Sequence, residues 1–185
     1  MRAFIAIELP EAIKDSLMSI RERLRHSGAK ASWVHPENMH LTLRFLGEAD
    51  QDAVNKISSL LEEAYHACGP LTLAVQGLGG FPNRRKPSVV WAGMEVRSGD
   101  LSAIQAHAEH AAQTAGLPPE EKAFHPHITL ARIRDHQALG RLPETLEAAQ
   151  TYYGGEFTAS VVSLFSSELR PGGPVYRRLR EFSLT

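Results

Sequence analysis

Residues 40–43 read His-Leu-Thr-Leu, and residues 127–130 read His-Ile-Thr-Leu. Both tetrapeptides alternate polar with aliphatic side chains, the period-2 signature of a half-buried strand. In each, the His and Thr share one face and the aliphatic residues enter a core. A rise of about 3.3 Å per residue sets imidazole and hydroxyl about 7 Å apart along the strand.

The sequence around the two copies is duplicated in order. Before the first copy, residues 3–9 alternate and stop at Pro10, which predicts a strand. Ile13, Leu17, Ile20 and Leu24 then recur at helical spacing over residues 11–25, with Gly28 as a stop. Residues 31–34 and 39–46 read as strands around a turn at Pro36. Asp50 caps a helix reaching His66, and residues 71–75 return as a strand. In the second half, residues 89–96 read as a strand and 101–115 as a helix ended by Gly116, Pro118 and Pro119. Residues 126–133 read as a strand, followed by a short helix to Ala149 and a strand over 157–164. Phe4 to His40 spans 36 positions, and Val89 to His127 spans 38. The repetition predicts a bilobal α+β fold with a central cleft, its two antiparallel sheets flanked by helices and related by a pseudo-twofold axis. The whole chain, 1–185, is expected to be one domain of two halves, about 1–80 and 88–170, able to exchange strands. The Gly-, Pro- and Arg-rich stretch 77–87 is expected to connect them.

Composition narrows the classes of function. A chain of 185 residues buries enough surface to fold without a staple, and its single Cys68 fits a reducing cytoplasm. No apolar run reaches the roughly 18 residues of a membrane span, and the acidic residues and Pro10 near the start do not read as an export signal. A net charge of −1 excludes a polybasic protein that coats nucleic acid, but allows a local anion site. Arg outnumbers Lys 15 to 5, and the planar guanidinium fork suits phosphate. The chain has no G-x-S-x-G elbow, Walker loop or dinucleotide fingerprint, so serine-triad, Walker-type and Rossmann chemistry lose their sequence support.

Two strands brought together across the pseudo-twofold axis place two His and two Thr around one concavity. Such a site suits a phosphodiester. With an ordinary pKa of about 6.5, one neutral imidazole can take a proton from water while one imidazolium gives a proton to a departing oxygen. Thr42 and Thr129 can donate to the phosphate oxygens. Packing alone gives no reason for the same polar pair to recur on two inward faces.

The surrounding residues carry weaker signals. Arg44, four after His40, is expected on the His40 face, touching phosphate or pairing with Glu48. Arg132, five after His127, is expected on the opposite face, in a rim or structural role, unless a bulge intervenes. Phe45, Phe124, Trp33 and Phe81 are candidates to stack on a base, against an ordinary core role. Arg84, Arg85 and Lys86, and Arg170, Arg177, Arg178 and Arg180, could track an RNA backbone or simply face water. The pairs His125 with His127 and His107 with His110 lack a third ligand at metal-binding spacing, so no metal is expected. Turn or capping roles suffice for His35 and His125.

Residues 2–10 (RAFIAIELP), 33–48 (WVHPENMHLTLRFLGE), 124–132 (FHPHITLAR) and 167–179 (SELRPGGPVYRRL) resemble the 2H phosphoesterase superfamily. Within it they are most similar to the LigT-like RNA 2′,3′-cyclic phosphodiesterases, also called the 2′-5′ RNA ligase family. The resemblance implies a cleft between two lobes, no metal or other cofactor, and hydrolysis of an RNA-terminal 2′,3′-cyclic phosphate to a 2′-phosphate. It leaves reverse 2′-5′ joining in vitro open. It also implies that His40 is the proton donor to the leaving 3′ oxygen and His127 the proton acceptor from water. Thr42, Thr129, Arg44 and Arg132 would contact the phosphate. The near-symmetry of the two halves does not by itself order the histidine roles. The expected partners are RNA ends with a 2′,3′-cyclic phosphate, or small nucleotides, and a cytoplasmic monomer is expected. The competing readings are a non-catalytic RNA-end binding module and a 2H enzyme acting on a different small phosphodiester.

Overall fold

Alternating and helical segments settle into nine strands and four helices in the computed structural model, which describes residues 1–185. In chain order these are β1 (Arg2–Glu8), α1 (Glu11–Arg25), β2 (Ser32–Trp33), β3 (His40–Glu48), α2 (Gln51–Tyr65), β4 (Leu71–Phe81), β5 (Val89–Ser98), α3 (Leu101–Thr114), β6 (His127–Arg132), α4 (Leu142–Ala148), β7 (Tyr153–Ala159), β8 (Val161–Arg170) and β9 (Gly173–Ser183). A 3₁₀ turn, Pro36–Asn38, joins β2 to β3. The helices bury the stripes their spacing predicts: Ile13, Leu17, Ile20 and Leu24 in α1, and Val54, Ile57 and Leu61 in α2. Asp50 and Asp100 cap α2 and α3 by accepting from the backbone N–H of Ala53 and Ala103, at 2.8 and 2.9 Å. No helix is long and apolar enough to cross a membrane.

All strand pairs are antiparallel and form two sheets, ordered β3-β1-β8-β9 and β2-β6-β5-β4-β7. Each sheet sets a His-x-Thr strand next to the strand that opens its half. Each is then completed by strands from elsewhere in the chain. β4 crosses into the second sheet and there takes the position that β8 takes in the first.

Three expectations are corrected. Residues 77–81 are not a connection but the end of β4, paired with β5. Their glycines are there for close approach: a Cβ on Gly79 would stand 2.3 Å from the Trp91 ring. Residues 157–164 are not one strand. Their apolar pattern runs on, but the chain leaves the second sheet at Ser160 and enters the first. Residues 173–183, with no strand expected, form β9 on the edge of the first sheet.

Both His-x-Thr strands carry a bulge at the same place. Across β1 and β3, Ala6 faces Thr42 and Ile5 faces Arg44, leaving Leu43 as an extra residue. Across β5 and β6, Trp91 faces Thr129 and Val90 faces Ala131, leaving Leu130 extra. An inserted residue exchanges the faces of everything beyond it. Leu43 and Arg44 are therefore both buried and Phe45 is exposed, while Leu130 and Ala131 are buried and Arg132 is exposed.

Candidate active site

His40 opens β3 and His127 opens β6, so each imidazole stands at a strand end where the two sheets approach each other. Both rings line one cleft of about 1060 Å³. Thr42, Thr129, Arg44, Arg132, Phe45, Phe124, Trp33 and Phe81 line the same cleft, which thus gathers all ten sequence candidates. A cavity of this size admits a nucleotide.

Each ring has backbone two residues back as a neighbour. The Nδ1–H of His127 donates to the carbonyl of His125 at 2.6 Å, and the backbone of Asn38, again two residues back, acts upward on the His40 pKa. For His127 this bond fixes the tautomer and leaves Nε2 free. Aromatic walls complete the support. Phe4 stacks on His40 with centroids 4.7 Å apart, and Tyr176 meets it edge-on at 5.4 Å. Phe81 meets His127 edge-on at 5.1 Å, with Trp91 at 6.4 Å.

Burial between these walls pushes the His40 pKa down to about 4, against the upward pull of the Asn38 backbone and the Glu8 carboxylate. The His127 pKa is also lowered. Burial is again the main cause, opposed by the His125 carbonyl and reinforced by Arg132. In the free protein both rings are therefore neutral at pH 7, and a bound phosphate anion would raise both.

The two arginines depart from their expected places. Arg44 is turned off the His40 face by the bulge and is 6% exposed. It pairs with Glu109 of α3 rather than Glu48, and donates to the carbonyls of Phe45 and Pro118. Its donors are committed to protein groups, which leaves little for phosphate. The bulge at Leu130 carries Arg132 the other way, onto the cleft face, where no carboxylate pairs with it. Of the four aromatic candidates, Phe45 is the most open at 55% exposure, while Trp33 and Phe124 also pack against the core.

Arg84 is tied to Glu147, Arg170 to Glu168, and Arg178 to Glu8 and Glu181. No three His, Cys, Asp or Glu side chains gather as a metal site. Sequence reasoning did not single out Phe4, Glu8, Trp91, Lys122 or Tyr176. Phe4 faces Phe45 and Glu8 faces His40 across the β1–β3 ladder, a register that the sequence does not show.

The family profile described as LigT like Phosphoesterase matches residues 7–91 and 95–176. The chain belongs to the LigT-like phosphoesterases. Both His-x-Thr strands of this phosphoesterase lie inside the matched residues. Among similar proteins, an RNA 2′,3′-cyclic phosphodiesterase of Methanothermobacter thermautotrophicus is 32% identical over 184 residues, covering 100% of this chain and 99% of that one. A protein of the same name from Thermus thermophilus is 34% identical over 190 residues, covering 100% and 90%. Among solved structures, E. coli LigT complexed with 3′-AMP superposes with a TM-score of 0.78 at 26% identity, covering 100% of this phosphoesterase and 98% of that chain. A Thermus thermophilus protein gives a TM-score of 0.79 at 29% identity, with the same coverage.

Proposed function

We propose that this phosphoesterase hydrolyses the 2′,3′-cyclic phosphate at an RNA end to a 2′-phosphate. The observation that carries the reading is that two His-Thr pairs, one from each sheet, line a single cleft. The activity for which the similar proteins are named supports the same substrate.

His127 accepts a proton from water as the water oxygen attacks phosphorus. The P–O3′ bond breaks in line with the attack, and His40 gives its proton to the departing 3′ oxygen. Thr42 and Thr129 donate hydrogen bonds to the non-bridging oxygens, and Arg132 offsets their charge. Because both imidazoles are neutral in the free protein, the entering anion itself favours the imidazolium that the acid step requires. The terminal base has Phe45 as its most exposed aromatic surface.

The test is product analysis after incubation with an oligonucleotide ending in a 2′,3′-cyclic phosphate. The expected product is the 2′-phosphomonoester. Binding without turnover would make the cleft a recognition module, and turnover confined to small phosphodiesters would move the substrate class away from RNA.

A further inference from the structure

The two histidine strands are matched through their bulges, yet their neighbours differ in charge. In the β1–β3 ladder His40 lies opposite Glu8, and in the β5–β6 ladder His127 lies opposite Gly93. Directly opposed residues in an antiparallel pair have Cβ positions about 4.5–5.5 Å apart. One imidazole thus has a carboxylate across the ladder, and the other has no side chain there at all. The gap is enforced, since a Cβ on Gly93 would stand 2.5 Å from the carbonyl oxygen of Gln76. Five residues beyond each histidine the charge difference has the opposite sign: Phe45 follows His40 and Arg132 follows His127. Negative charge acts on one ring from across its ladder, and positive charge acts on the other.

We infer that Glu8 is a positioning residue that sets the direction of proton flow, supporting the imidazolium of His40 so that His40 is the acid and His127 the base. The inference rests on the phosphodiesterase reading above. Glu8 is held in place. The buried Ser163 hydroxyl donates to its Oε2 at 3.1 Å, and the Arg178 guanidinium donates to its Oε1 at 2.8 Å. Arg178 also pairs with Glu181 at 3.0 Å, so one cation is shared between two carboxylates and the cluster keeps one net negative charge.

The other charged or titratable groups around His40 are Tyr176 and Arg178 of β9, Lys14 of α1, Glu37 of the 3₁₀ turn, and His127 across the cleft. Burial is the largest influence on both rings and lowers both. Burial lowers His40 further than His127, to about 4; against it Glu8 acts upward on His40, while Arg132 adds to the lowering of His127. Once the substrate anion has raised both rings, Glu8 and Arg132 both act in the direction that leaves the proton of the coupled pair on His40. Glu8 itself exchanges no proton. His127 gains one from water, His40 loses one to O3′, and solvent resets both.

The test compares the protein with Glu8→Gln, Glu8→Asp and Ser163→Ala, following both imidazoles by NMR titration and kcat against pH at saturating cyclic-phosphate oligonucleotide. Glu8→Gln should lower the His40 midpoint by at least about half a pH unit relative to His127 and move the alkaline limb of kcat, which reports the substrate complex, to lower pH. Glu8→Asp should restore both. Ser163→Ala, which loosens the carboxylate but keeps it, should shift them the same way by less. Unchanged or equal shifts of the two rings in an active enzyme would overturn this inference alone. A wild-type protein that leaves the cyclic phosphate intact would overturn the phosphodiesterase reading and this inference with it.

Discussion

The ring of Phe4 lies over that of His40 at an interplanar angle of 22°, with Phe4 itself only 3% exposed. An apolar face against an imidazole strips water from the charged form, which is why burial dominates the downward shift of His40. Phe4→Leu should therefore raise the His40 titration midpoint from about 4 toward the ordinary value of about 6.5. Loss of ring volume should also lower stability by about 1–2 kcal/mol. An NMR titration and a denaturant melt read the two effects separately, and an unmoved midpoint would place the cause of the shift elsewhere.

His40→Ala and His127→Ala should each reduce turnover by at least about 10², with far-UV circular dichroism unchanged. Turnover by the wild type should survive excess EDTA, because the proton transfers are assigned to imidazoles. Either single mutant turning over near the wild-type rate would remove the two-histidine mechanism.

The pH dependence follows from the sign of the shifts. The base must be neutral and the acid protonated, and burial lowers both histidines in the free protein. The bell of kcat/KM, which reports the free enzyme, should therefore be centred below pH of about 6.5. The bell of kcat should lie at higher pH, since the bound anion raises both groups. Stopped assays at saturating and limiting substrate measure the two profiles. A kcat optimum on the acid side of the kcat/KM optimum would contradict the anion's role.

Arg44 and Arg132 should fail in different ways. Arg44→Ala leaves Glu109 without its cation in a mostly buried place and should cost about 3 kcal/mol or more of stability. Arg132→Ala should leave the melting temperature within a few degrees of wild type and lower kcat/KM by about 10-fold or more, through lost phosphate contact. Thermal melts paired with steady-state kinetics distinguish them, and a reversed pattern would make Arg44 the phosphate ligand and Arg132 the structural residue.

Much of this was legible in the residues because period and order are local properties. The alternation around His40 and His127 placed each His-Thr pair on one face, and the repeated order of elements implied two sheets. What stayed hidden was non-local. A bulge is one unpaired residue, defined only by the partner strand, so no pattern in 40–45 or 127–132 shows that Leu43 and Leu130 are extra. The face assignments of Arg44 and Arg132 therefore came out reversed. Glycines at 77, 79 and 80 read as a linker, because the Trp91 ring that requires Gly79 lies on another strand. Tyr176 sits on β9, where a register shift at Leu179 and a run of exposed arginines leave no period-2 pattern to read.

The pairing of β1 also has a consequence for biogenesis. Arg2 faces Glu48 on one edge and Ser167 on the other, so β1 is made well before β8, the strand that covers its second edge. Until then a nascent chain presents an open hydrogen-bonding edge on the side of β1 away from β3, the kind of surface on which newly made polypeptides associate. Maturation of the proposed reaction centre is thereby coupled to the synthesis of β8 and β9, and a truncated product lacking them would have half of its His40-bearing sheet missing.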